Sequence, residues 1–188
     1  MKINELVGSL IRLPFFMRKI FFMIPLLGML GCGTQQPLPT VEEVDLESYS
    51  GIWYDIAHLP QRFQKGCACV TAEYTPLEDG NIKVVNTCFD EEKKKSRSVE
   101  GKAFPVSKGD NSKLKVQFFW PFRGNYWILD IRGDYEYAMV GGPDRQSLWI
   151  LSRTRQPDPG ILETLLRKAR ELGFDTSRME YTRQVDCE

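Results

Sequence analysis

The chain has a single histidine, His58, among its 188 residues, and no pair of cysteines spaced CxxC. The usual protein frameworks for zinc are therefore missing, and neither a metal nor another cofactor is expected. Net charge is also missing, since 25 basic and 25 acidic residues are mixed along the sequence. Without a concentrated cationic face, nucleic acid is not an expected partner. No internal repeat or low-complexity segment is present. The apolar run near the N-terminus, "IFFMIPLLGML" at residues 20–30, falls well short of the ~20 residues a membrane-spanning helix needs. It comes after the basic Met17-Arg18-Lys19, which is the layout of a secretory signal. The rest of the chain, within an overall composition that is 42% hydrophobic, has the length and apolar content of one ordinary domain.

The residues just beyond the apolar run are more specific. "MLGC" puts Gly31 directly before Cys32, and polar, proline-rich "GTQQPLPT" comes next. This resembles the lipobox of bacterial lipoproteins, in which the peptide is cut before the cysteine and the new terminal cysteine carries lipid; Met29 stands where leucine is usual. The alternative is a plain signal peptide with an incidental cysteine. The resemblance implies a signal peptide at 1–31, a lipidated linker at 32–43 and a folded domain at 44–188, with Met17 as an alternative start. Gly33, where an Asp would retain such a protein elsewhere, implies the outer membrane. Each acyl methylene buried in the bilayer contributes about 0.8 kcal/mol, so two or more chains give durable anchoring through Cys32. Removing residues 1–31 takes Lys2, Arg12, Arg18, Lys19 and Glu5, leaving 21 basic residues against 24 acidic.

Four further cysteines, Cys67, Cys69, Cys88 and Cys187, are an even number in a chain bound for an oxidising compartment, and two disulfides are expected. Three pairings exist. The CxC spacing of Cys67 and Cys69 places both on one face of a regular strand.

Between residues 51 and 153, punctuation every eight to twelve residues separates short aromatic and β-branched stretches. Strands are predicted near 51–58, 67–75, 81–88, 97–104, 113–120, 125–131, 134–141 and 147–153, with a last short one near 179–184. "LEDGN" and "GGPDRQ" carry hairpin-turn chemistry. Leu114, Val116, Phe118 and Trp120 alternate with Lys113, Lys115, Gln117 and Phe119, so the sheet has an apolar and a wet face. Eight strands in an unbroken antiparallel meander is the count at which a sheet closes on itself, an all-β up-and-down barrel. "PDPGILETLLRKARELGF" then predicts an α-helix, capped by Asp158, started by Pro159 and ended at Gly173. Its stripe of Ile161, Leu162, Leu165, Leu166, Ala169 and Leu172 is expected to pack outside the barrel.

Gly51-Ile52-Trp53 on the first strand, Gly133-Asp134-Tyr135 before the seventh and Arg153 in "LWILSRT" match, in order, the three short motifs of the lipocalins. The resemblance covers about residues 44–187. "GIWYDIA", "NIKVVN", "GPDR" and "LWILSRT" are most similar to the bacterial outer-membrane lipocalins and apolipoprotein D. It implies that Arg153 stacks over Trp53 across a closed floor, with Gly51, Asp134 and Tyr135 also structural, and that Gly51 leaves room where a β-carbon would crowd the neighbouring turn. It implies a Cys69–Cys187 disulfide stapling the tail to the barrel, which leaves Cys67 and Cys88 as a second pair, although spacing alone leaves 67 with 187 open.

The implied function is that of a carrier: a tethered lipocalin that stores or moves fatty acids or lysophospholipids at the outer membrane. The acyl tail is expected among Val116, Phe118, Trp120, Ile128, Tyr137 and Trp149. The head group is expected near Arg123, since a guanidinium recognises phosphate or carboxylate bidentately. Mouth loops are expected near 59–66, 89–96, 121–124 and 141–146. A cavity-cysteine isomerase using Cys67, or an architectural lipoprotein with a filled barrel, are the alternatives. A homodimer is compatible with the sequence, which does not fix oligomeric state.

Overall fold

The computed structural model describes residues 36–107 and 109–187. The signal segment and Cys32 lie outside the described residues. Eight antiparallel strands are joined in chain order: β1 (Gly51–His58), β2 (Cys67–Pro76), β3 (Ile82–Asp90), β4 (Lys95–Ser107), β5 (Asp110–Phe119), β6 (Phe122–Arg132), β7 (Tyr137–Gly141) and β8 (Leu148–Ser152). β1 pairs with β2 through Gly51–Tyr54 and with β8 through Tyr54–His58, so the sheet closes into a barrel. A ninth strand, β9 (Glu180–Tyr181), adds to the outer edge of β1 at Ala57 and His58. It is shorter than its sequence suggests, and residues 133–136 form a turn before β7, with Asp134 and Tyr135 at positive φ.

Two apolar layers result from strand alternation. The inner one joins Trp53, Tyr74, Val84, Leu114, Ile128, Val140 and Leu151. The outer one joins Leu129, Met139, Leu148 and Ile150 to Leu165 and Ala169 of α2 (Pro159–Glu171). Asp158 caps α2 by accepting hydrogen bonds from the Gly160 and Ile161 N–H groups at 2.8 and 3.0 Å. Lys168 reaches Asp130 of β6 at 3.1 Å. Each fully buried leucine or isoleucine here contributes about 1.5–3 kcal/mol.

The expected linker is corrected for residues 36–43, which form a strap along the outside of the barrel. Arg145, in the β7–β8 turn, donates to the Gln36 carbonyl at 2.7 Å. Leu38 is buried in the layer under α2, and the Val41 N–H donates to the Ile128 carbonyl at 3.0 Å. The strap ends at a short helix absent from the sequence-based expectation, α1 (Leu46–Tyr49), capped by Asp45.

The structure joins Cys67 to Cys88 and Cys69 to Cys187. The two side chains of the CxC do not share a face. Between Ala68 and Thr71 the register against β3 shifts, and Cys69 has φ +52°. This extra residue is a β-bulge, which reverses the alternation. Cys67 lines the barrel interior, while Cys69 bonds to the tail.

Candidate functional site

One end of the barrel is sealed. The Arg153 guanidinium lies 3.9 Å from the centre of the Trp53 ring and donates to the Tyr135, Ile52 and Ser48 carbonyls at 3.2, 2.8 and 2.7 Å. A shielded contact of this kind contributes about 1–2 kcal/mol. Trp53 donates from Nε1 to the Tyr49 carbonyl at 2.8 Å, and the Tyr135 hydroxyl accepts from the Asp45 N–H at 2.8 Å. The reason for glycine at 51 is corrected. A β-carbon there would meet Arg153 at 3.7 Å, an ordinary contact, whereas φ is +85°. The constraint is backbone conformation rather than space.

The other end opens into a cavity of about 840 Å³. Its wall includes Val70, Val84, Val99, Val116, Phe118, Val140, Trp149 and Leu151, and its rim Phe63, Phe119 and Phe122. Phe118 lies against Gly101, where a β-carbon would come within 2.6 Å of its ring and 2.5 Å of the Gln117 carbonyl. Gly101 thus lets the aromatic side chain lie back against β4.

Several polar groups also face the cavity; those near its base and beside β1 are paired, whereas Asn86 Oδ1 is buried without a hydrogen-bond partner. Near the base, the Tyr126 hydroxyl is 2.7 Å from that of Tyr49 and 2.8 Å from that of Tyr74. Burial pushes all three pKa values above the ordinary phenol range, so they stay neutral. Higher up, Gln64 donates to the buried Asp55 carboxylate and accepts from Trp149 Nε1 at 2.9 Å. His58 Nδ1 lies 3.1 Å from Asp55, and its Nε2 lies 3.5 Å from Glu180. Among the described residues, no cluster of three or more His, Cys, Asp or Glu side chains is arranged to hold a metal ion.

Of the residues expected around an acyl chain, the structure brings Val116, Phe118 and Trp149 together on the cavity wall. Trp120 is corrected: it is 86% exposed, at the β5–β6 tip. A register shift between Val116 and Phe119 breaks the alternation that would have carried it inward. Tyr137 is corrected as well. Its neighbour Ala138 faces inward, so Tyr137 faces out, packs under α2 and accepts from the Asp158 N–H at 3.0 Å. Ile128 points inward but is fully buried in the cluster around Trp53 and does not line the open space. Arg123 stands at the rim, yet its guanidinium stacks 4.3 Å from the ring centre of Phe104, on the opposite face of β4 from inward Ala103. Arg97 was not expected at the site. It lines the mouth and donates to the Phe63 carbonyl and Cys67 Sγ, each at 3.0 Å. Its position opposite Cys88 in the β3–β4 ladder was the available signal. Cys67, bonded to Cys88, has no thiol in this form, so the isomerase reading lacks its nucleophile.

A closed floor, an open mouth and an outer helix on an eight-stranded barrel agree with the family comparison, in which a lipocalin-like domain matches residues 44–184. The chain belongs to the lipocalin family. This lipocalin is 40% identical over 170 residues to the outer membrane lipoprotein Blc of Vibrio cholerae, covering 89% of this chain and 99% of that protein. It is 35% identical to the Escherichia coli protein of the same name, over 83% of this chain and 90% of the relative. Bovine apolipoprotein D is 32% identical over 79% of this chain and 82% of its own. Insecticyanin of the tobacco hornworm shares the fold with a TM-score of 0.63 at 21% identity, covering 79% of this chain and 85% of that one.

Proposed function

We propose that this lipocalin is a lipid-anchored outer-membrane protein that holds one elongated amphipathic lipid, a fatty acid or lysophospholipid, for storage or transfer at the membrane. The observation that carries this reading is the cavity of about 840 Å³, apolar along its wall and open at one end. That volume lies within the range of small-molecule sites. The names of its Vibrio and Escherichia relatives support the location, as does the lipobox at Cys32. The acyl chain lies among Val116, Phe118 and Trp149, and an anionic head group meets Arg97 at the mouth in place of the expected Arg123.

Titrating the full-length processed protein with a fluorescent fatty acid or lysophospholipid should give saturable binding. Phe118→Ala and Trp149→Ala should each weaken it about tenfold, equivalent to ~1.4 kcal/mol. Unchanged affinity in both variants would sink the assignment. No saturable uptake at all would favour an architectural barrel.

A further inference from the structure

The mouth carries an unusual surface. Phe63, Phe119, Trp120 and Phe122 are 61, 70, 86 and 77% exposed; Phe119, Trp120 and Phe122 form the β5–β6 tip, and Phe63 stands elsewhere on the same cavity rim as Phe119 and Phe122. Water-exposed aromatic side chains grouped in this way mark a surface meant to be covered.

Charge is sorted along the same axis. The mouth ends of the strands and the segments between them, 59–66, 89–97, 120–124 and 142–147, hold eight basic residues and four acidic. Those at the floor, 42–50, 77–81, 133–136 and 153–157, hold two basic and eight acidic. Among the mouth carboxylates, Asp90 is paired with Lys93 and Arg97, and Glu91 with Arg183. Aromatic side chains framed by cations complement the interface of a bilayer containing anionic lipid.

The strap fixes where the chain leaves the barrel. It runs from the floor, where Asn111 donates to the Val44 carbonyl, to the mouth, where Arg145 holds Gln36. Arg145 belongs to the same turn as Gly142 and Asp144, which line the cavity. Cys32 lies four positions before Gln36, a reach of at most ~14 Å. The chain therefore reaches an acyl anchor on Cys32 from the mouth end of the strap, within ~14 Å of Gln36.

We infer that the mouth docks face-on against the anionic bilayer that carries the anchor, with Trp120 seated among the head groups, so that lipid passes between cavity and membrane without crossing bulk water. This rests on the carrier reading for its cargo, but the docking itself is independent of any ligand.

The test uses the full-length processed protein in vesicles of phosphatidylethanolamine and phosphatidylglycerol, without added ligand, with doxyl-labelled phospholipid as quencher. Tryptophan emission of the wild type should be quenched, and Trp120→Phe should lose several-fold less emission. Trp120→Glu should slow the handover of a bound fluorescent fatty acid to its own vesicle at least tenfold with the probe's Kd unchanged, the latter also showing that the variant folds. Equal quenching in wild type and Trp120→Phe overturns the proposal. So does a dimer that becomes a monomer on Trp120→Glu, seen by sedimentation, with no change in lipid quenching, since a second copy would then own the patch. Failure of the wild type to bind the fatty acid would strike the carrier reading instead, with docking judged on the quenching.

Discussion

His58 sits where the barrel wall, the mouth loop and the C-terminal strand meet. Burial alone would lower its pKa. The hydrogen bond and charge of Asp55, with Glu180 beyond, outweigh that and leave it raised above the usual ~6.5. A histidine whose folded pKa exceeds its unfolded one adds stability that is fully present below about pH 6.5 and lost as pH rises through the folded value. The urea midpoint of the wild type should therefore fall between pH 6 and pH 8.5, and His58→Gln should flatten that fall. Such networks are hard to read from sequence, because Asp55, Gln64 and Trp149 lie in three separate segments. Tyr137 shows a second difficulty. An aromatic side chain in a strand does not declare its face, and only its parity with inward-facing Val140 places it outside.

At the level of elements, the eight strands and α2 were legible because turn residues and alternation punctuate the chain so regularly. The bulges were not. One extra residue at Cys69, and another between Val116 and Phe119, invert inside and outside for the residues beyond them, which is why a pattern that holds from Leu114 to Phe118 fails at Trp120. α1 is a single turn, too short for a periodic signal. The strap read as a linker because its prolines and polar residues hide one buried side chain. Leu38→Ala should expose the layer beneath α2 and cost about 2 kcal/mol, at the low end for a buried leucine because the strap can settle inward. Urea unfolding measures it, and an unchanged midpoint would show that the strap adds no stability.

On the scale of the whole molecule, pairing β1 with both β2 and β8 leaves the barrel without an open edge there, which removes the usual route to edge-to-edge association. The motif residues made that closure legible, since Trp53 and Arg153 lie a hundred residues apart and meet only in a closed barrel. The open space inside was less legible, because the same apolar residues would serve a filled interior.

The Cys69–Cys187 bond turns everything from the second strand to the tail into a covalent circle. A protease that cuts after aromatic residues should nick it at the protruding tip around Phe119 and Phe122. The severed protein would still run as one species on a denaturing gel without reductant and separate into two fragments only when thiol is added. A cell envelope that keeps its disulfides oxidised would thus hold a clipped molecule together.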